Sequence, residues 1–217
     1  LGFAYQHYEE LALDVDAGGV KAAQTYAQIL PKVASWVGIA ELPLDNDRYP
    51  KGDINDFVAG FARVLATDGT VTVEFPHLLQ LVRQNQFDTV YHEHFSYLSF
   101  HTVQGVFSSY GLTVWDVEEL PTHGGSLRVW AQHAAHTRPV GERVAAMLHK
   151  EEAAGMYEPA FYRGVQAAAD RVTNDLLAFL LEQKAAGRTV AAYGAAAKGN
   201  TLLNYAGVKP DLLAWVA

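Results

Sequence analysis

The segment Tyr91-His92-Glu93-His94-Phe95-Ser96-Tyr97 packs two imidazoles, one carboxylate and two phenols into seven residues. These are the parts of a proton-transfer site. An imidazole takes a proton near neutral pH. A neighbouring carboxylate orients the ring and stabilises its charged form. A phenol hydroxyl can donate to a developing oxyanion. An extended strand would put Tyr91 and Glu93 on one face and His94 on the other. A helix would join Tyr91 with His94 and turn Glu93 away. A joint site of His94, Tyr91 and Glu93 therefore requires an irregular loop. The spacing fits equally an aromatic, half-buried loop whose histidines hydrogen-bond backbone. His92 and His94 would share a face in a strand, but no third ligand stands at a telling distance, so no metal is expected.

Two further segments carry candidate ligands. In Thr122-His123-Gly124-Gly125-Ser126-Leu127-Arg128, paired glycines would let a ligand approach backbone, and Arg128 could hold a phosphate. A tight turn into an edge strand explains the same residues. Tyr193-Gly194-Ala195-Ala196-Ala197-Lys198-Gly199-Asn200-Thr201 reads as strand, small-residue turn and helix start. That arrangement can cradle an anion, with Lys198 adding charge. It is neither a P-loop nor a dinucleotide fingerprint, and close strand–helix packing would use the same small residues.

The elements that must position these groups read as α/β. Phe57, Phe61, Val64 and Leu65 recur at helical spacing behind a possible cap at Asp53, with Asp56 in the first turn. A turn at 67–70 leads to an alternating strand at 71–75. Pro76 and His77 open a loop towards Tyr91, and ligands collect outside the carboxyl ends of such strands. Val103, Val106, Phe107 and Tyr110 mark a second helix, with Gly111 suited to its C-terminal cap. Strands at 112–117 and 127–131 follow with no helix between them, so they should pair antiparallel at a sheet edge. Residues 139–154 are helical. Pro159 fits a helix start, and Phe161, Val165, Val172, Leu176, Phe179 and Leu180 mark a long amphipathic helix ending before Gly187. A short strand at 189–193 and a helix from Asn200 to Tyr205 open a new layer.

Composition bounds the function. The 217 residues are 50% hydrophobic and carry a net charge of −8, which suits a packed protein and not a general nucleic-acid binder. The absence of cysteine excludes disulfides, thiolate metal sites and a thiol nucleophile. No apolar run reaches the ~18 residues of a membrane span, and no signal peptide is visible, so no membrane partner and a cytoplasmic location are expected. The first residue is Leu1, which suggests a fragment.

Taken in order, EFPH (74–77), YHEHFSYLS (91–99), THGGSLRV (122–129) and YGAAAKGNTLLN (193–204) resemble the sugar C-methyltransferases. These enzymes use S-adenosylmethionine to methylate a carbon of a nucleotide-linked deoxysugar. The resemblance implies an incomplete Rossmann-like methyltransferase sheet with an antiparallel edge strand, then a linker helix and the start of a second α/β domain. It leaves 1–50 unassigned, a segment whose helix formers at 17–37 read as helical, and divides the rest into 51–138, the second half of the methyltransferase domain; 139–187, linker helices; and 188–217, the start of the C-terminal domain. It implies that His94 removes the proton next to the 4-keto group, and that Tyr91 and Glu93 support it and the keto oxygen. It further implies that His77, His123, Ser126, Arg128, Lys198 and Asn200 meet the nucleotide diphosphate sugar. The glycine-rich loop for S-adenosylmethionine is not found: Gly18-Gly19 lacks the pattern. Tyr49-Pro50-Lys51-Gly52-Asp53 stands where the family carries a histidine before its D-I-N-x-F helix. The competing readings are a non-catalytic remnant that binds a nucleotide sugar, and a nicotinamide-dependent oxidoreductase. The latter is disfavoured by the missing fingerprint.

Overall fold

The computed structural model describes residues 39–43, 54–91, 94, 96–136, 138–194 and 197–217. The helix formers of 17–37, the Asp53 cap, His92, Glu93 and Phe95 lie outside the described residues.

Helix α1 (Ile54–Val64) forms where the helical spacing predicts it, with Asp56 in its first turn and Arg63 in its last, each matched to the helix dipole. It buries Val58 and Phe61. Strand β2 (Thr70–Pro76) follows, with Thr70, Val71, Thr72 and Val73 all buried, as in an inner strand. Strand β1 (Ile39–Pro43) corrects the helical expectation for that part of 1–50. It pairs in parallel with β2, Ile39 opposite Thr70, and that pairing outweighs the weak local propensity of Ile-Ala-Glu-Leu-Pro.

A second correction falls just after β2. Residues Leu78–Arg83, expected as loop, form helix α2. It is six residues long and buries Leu79 and Leu81, so packing rather than length stabilises it. Helix α3 (Phe100–Ser109) starts at Ser99, whose hydroxyl accepts from the Thr102 amide. It ends at Gly111, whose φ of +71° is the left-handed cap conformation.

Strands β3 (Leu112–Leu120) and β4 (Ser126–His133) are antiparallel, and the sheet order is β1-β2-β4-β3. The pair does sit at the sheet edge. Strand β3 is outermost, and β4 lies between β2 and β3, antiparallel to both. On one face Val71, Val73 and Phe75 stand opposite Ala131, Val129 and Leu127. Val58 and Phe61 of α1, Phe100, Val103 and Phe107 of α3, and Val144 and Met147 of α4 (Glu142–Ala153) complete this core. Phe107 is 1% exposed, and its ring centroid lies 6.1 Å from that of Phe61. Phe107→Ala should therefore cost about 3–5 kcal/mol of stability, read as a lower urea midpoint.

After a 3₁₀ turn at Pro159–Tyr162, begun by proline as expected, helix α5 runs Val165–Ala185 and helix α6 Ala197–Tyr205. The strand expected at 189–193 is reduced to one bridge, Ala192 with Val216, in parallel. Backbone bonds from Ala214 to Val190, Ala192 to Trp215 and Gly194 to Ala217 continue the pairing.

Candidate active site

The His94 loop is held at both ends beside the carboxyl end of β2. The Leu78 amide donates to the Leu98 carbonyl at 3.0 Å, and the His77 amide donates to the Gly125 carbonyl at 3.0 Å. Between these anchors a 3₁₀ turn (Phe87–Thr89) leads to a tight turn in which the His94 amide donates to the Tyr91 carbonyl at 3.0 Å. That turn brings the Tyr91 and His94 rings to a centroid distance of 4.3 Å. The three-residue step joins Tyr91 and His94, as helical spacing would also do. Glu93 lies outside the described residues.

His94 is half-buried, and its Nδ1 lies 2.8 Å from the Thr89 carbonyl oxygen. A carbonyl only accepts, so Nδ1 carries the proton and a neutral ring presents Nε2 as a lone pair. Thr89 itself is fixed: its hydroxyl donates to the Gln86 carbonyl at 2.7 Å. The Tyr97 ring meets His94 edge-on at 6.4 Å, and its hydroxyl donates to the same Thr89 oxygen at 3.4 Å. Burial pushes the Tyr97 phenol above its ordinary range, so it stays a neutral donor. Sequence reasoning passed over Thr89, whose role rests on backbone alone.

Glu151 of α4 was also missed. It is fully buried and accepts three bonds: from His77 Nε2 at 2.8 Å, from the Phe100 amide at 2.6 Å and from the His101 amide at 3.0 Å. Burial pulls this carboxyl up, but His77 and the two amides outweigh it and hold it below its ordinary value. The carboxylate thus caps the first turn of α3 while Ser99 caps the third amide. It ties β2, α3 and α4 together behind the loop. One signal was available: Val144, Met147 and Glu151 fall on one helical face, so this glutamate shares a stripe with core residues.

A cleft of about 320 Å³ opens beside the end of β2, lined by His77, Gln80, Gln84, Glu119, Gly125 and Ser126 among others. The two glycines serve the protein's own side chains here. A Cβ on Gly125 (φ +125°) would stand 2.6 Å from Gln80 Cγ, and one on Gly124 (φ +80°) 2.1 Å from Gln86 Nε2. Ser126 is buried, and its hydroxyl donates to the Thr122 carbonyl at 3.1 Å. His123 sits exposed in the turn with φ +53°. Arg128, the expected phosphate ligand, bonds Glu74 across the strands at 3.0 Å. Its charge is already matched by that carboxylate.

Lys198 and Asn200 stand apart from these residues in sequence, on the first turn of α6. That helix packs against the 3₁₀ turn that leads to the His94 loop, with the Phe87 and Tyr205 rings 5.7 Å apart. The same Tyr205 hydroxyl donates to Asp170 of α5 at 2.7 Å. Ala195 and Ala196, in the small-residue turn, lie outside the described residues. No described helix is long and apolar enough to cross a membrane.

Residues 121–217 match the family model of the C-methyltransferase C-terminal domain. Over 183 residues, 84% of this chain, the sequence is 38% identical to C-methyltransferase NovU of Streptomyces niveus. Over most of its length the chain is similar to the C-methyltransferases. It spans 44% of the length of that relative. The matched C-methyltransferase segment contains Gly124-Gly125, Glu151 and α6, and the His94 loop precedes it.

Proposed function

We propose that this chain is part of an enzyme that methylates the carbon next to the 4-keto group of a nucleotide-linked deoxysugar, with His94 as general base. The observation that supports this most is the bond from His94 Nδ1 to the Thr89 carbonyl, which leaves Nε2 to accept a proton. A proton next to a ketone becomes removable by imidazole when the enolate oxygen is stabilised. In this reading Tyr91, whose ring tilts against that of His94, and Glu93 support the base and the keto oxygen. When bound, S-adenosylmethionine supplies an electrophilic methyl group.

The diphosphate is assigned to the start of α6, where Lys198 and Asn200 stand. His77, His123 and Ser126 are assigned to the sugar side, and Arg128 acts there through Glu74. The boundaries 51–138, 139–187 and 188–217 then separate methyltransferase, linker and C-terminal parts. A cysteine-free chain acting on activated sugars fits the cytoplasm.

Methyl-labelled S-adenosylmethionine tests this. The expected result is saturable binding and transfer of label to the carbon beside the ketone. Binding of the nucleotide sugar without saturable binding of S-adenosylmethionine would instead leave a protein that only holds the sugar.

A further inference from the structure

We propose that Tyr205 is a positioning residue for His94: its ring braces Phe87, and through the 3₁₀ turn it holds the Thr89 carbonyl that fixes the imidazole tautomer. Its bearing on catalysis rests on the reading of His94 as general base, whereas the positioning is a property of the protein without ligand.

The Thr89 carbonyl oxygen carries two bonds of the loop. It accepts from His94 Nδ1 at 2.8 Å and from the Tyr97 hydroxyl at 3.4 Å. Thr89 is buried. The direction of this oxygen therefore sets which nitrogen of a neutral His94 holds the proton. A peptide unit is planar and rigid, so its carbonyl turns only with its neighbours. The amide of Thr89 donates to the Gln86 carbonyl at 3.1 Å, and that of Val90 to the Phe87 carbonyl at 3.0 Å. The orientation of the Thr89 carbonyl thus depends on where Gln86 and Phe87 sit.

Gln86 is fixed to the core side of the turn. Its amide donates to the Leu81 carbonyl at 2.9 Å, and its Nε2 to the Gly124 carbonyl at 3.1 Å. One fixed end leaves a turn free to pivot about it. Phe87 is the other end, and its ring centroid lies 5.7 Å from that of Tyr205, with the planes tilted by 54°. That distance falls within the ~4.5–7 Å of interacting aromatic pairs. Tyr205 is itself held. Its hydroxyl donates to Asp170 of α5 at 2.7 Å and accepts from Gln166, which also donates to Asp170 at 2.9 Å. No side chain of α6 is fully buried, so contacts such as these, and not a core, seat the helix on the turn. The other end of α6 carries Lys198 and Asn200. The helix assigned to the diphosphate therefore also braces the base.

Tyr205→Ala removes the brace from a half-exposed position, so its urea midpoint should stay near wild type. In the free wild-type protein at mildly alkaline pH, the two ¹⁵N resonances of His94 should lie far apart, with Nδ1 protonated. In Tyr205→Ala they should draw together as the other tautomer is populated. At saturating nucleotide-linked 4-keto deoxysugar, deuterium exchange at the carbon beside the ketone should slow about two- to tenfold, the net worth of one hydrogen bond. Tyr205→Phe keeps the ring and should retain most of the rate and of the ¹⁵N separation. Phe87→Ala should match Tyr205→Ala, and the double variant should lose no more than either, because each removes the same contact. Unchanged His94 resonances in Tyr205→Ala, or additive losses in the double variant, would overturn the positioning. Resonances that draw together with no change in the exchange rate would leave the brace standing and remove His94 from the role of base. If the wild type catalyses no exchange, the base reading falls and the resonances alone decide the brace.

Discussion

His94→Asn is expected to slow methyl transfer about 10²- to 10⁴-fold, the usual contribution of a positioned general base. The choice of asparagine matters. Its side-chain amide stands where Nδ1 stood and can still donate to the Thr89 carbonyl, 2.8 Å from that nitrogen in the native ring. The loop therefore keeps its anchor, while the lone pair at Nε2 is gone. Affinity for the nucleotide-linked sugar and the urea midpoint should stay near wild type. A lower kcat with an unchanged KM is the signature of a group acting in the transition state. Tyr91→Phe should do less, because it keeps the ring 4.3 Å from His94 and removes only the hydroxyl.

Glu151→Ala should cost about 3–5 kcal/mol of stability, as much as a large core truncation. Removing the carboxylate strips the acceptor from His77 Nε2 and from the first two amides of α3. All three donors are then left in a site with no water access. Glu151→Gln should cost less, since one side-chain oxygen still accepts. The pH dependence follows from the sign of the shift. The folded-state pKa lies below the ordinary value of 4.5, so the stabilisation is complete above about that pH. It is lost as pH falls through the lowered folded value. Urea midpoints measured from neutral pH into acid should show this loss in the wild type and a flatter profile in Glu151→Gln. Equal profiles would mean that another carboxyl carries the acid sensitivity.

Much of the frame was legible because local pattern and tertiary role agree. Phe57 and Phe61, or Val103 and Phe107, recur at helical spacing and do face the core. Val71, Val73 and Phe75 alternate and do line one sheet face. Gly111 reads as a cap and has the positive φ of one. Where the fold was missed, a distant partner decides the structure. Ile39–Pro43 is a strand because β2 lies beside it. Leu78–Arg83 is a helix because two leucines find the interior.

The site divides in the same way. Tyr91 and His94 could be paired from a three-residue step. Glu151 could not be assigned to His77, which stands 74 residues away in the chain. The glycine pair reads equally as room for a ligand or as a tight turn into a strand; it forms the turn, and Gln80 and Gln86 stand where its Cβ atoms would be. Arg128 reads as able to hold a phosphate, and register places it opposite Glu74. Cross-strand neighbours of this kind are set by pairing register, which no local window contains.

The central claim is that His94 takes a proton from carbon, and one measurement reaches it without methyl transfer. The protein is incubated in D₂O with a nucleotide-linked 4-keto deoxysugar and no S-adenosylmethionine, and deuterium is followed at the carbon beside the ketone. Catalysed exchange in the wild type and its loss in His94→Asn is the predicted result. Exchange that continues at the wild-type rate in His94→Asn would contradict the account.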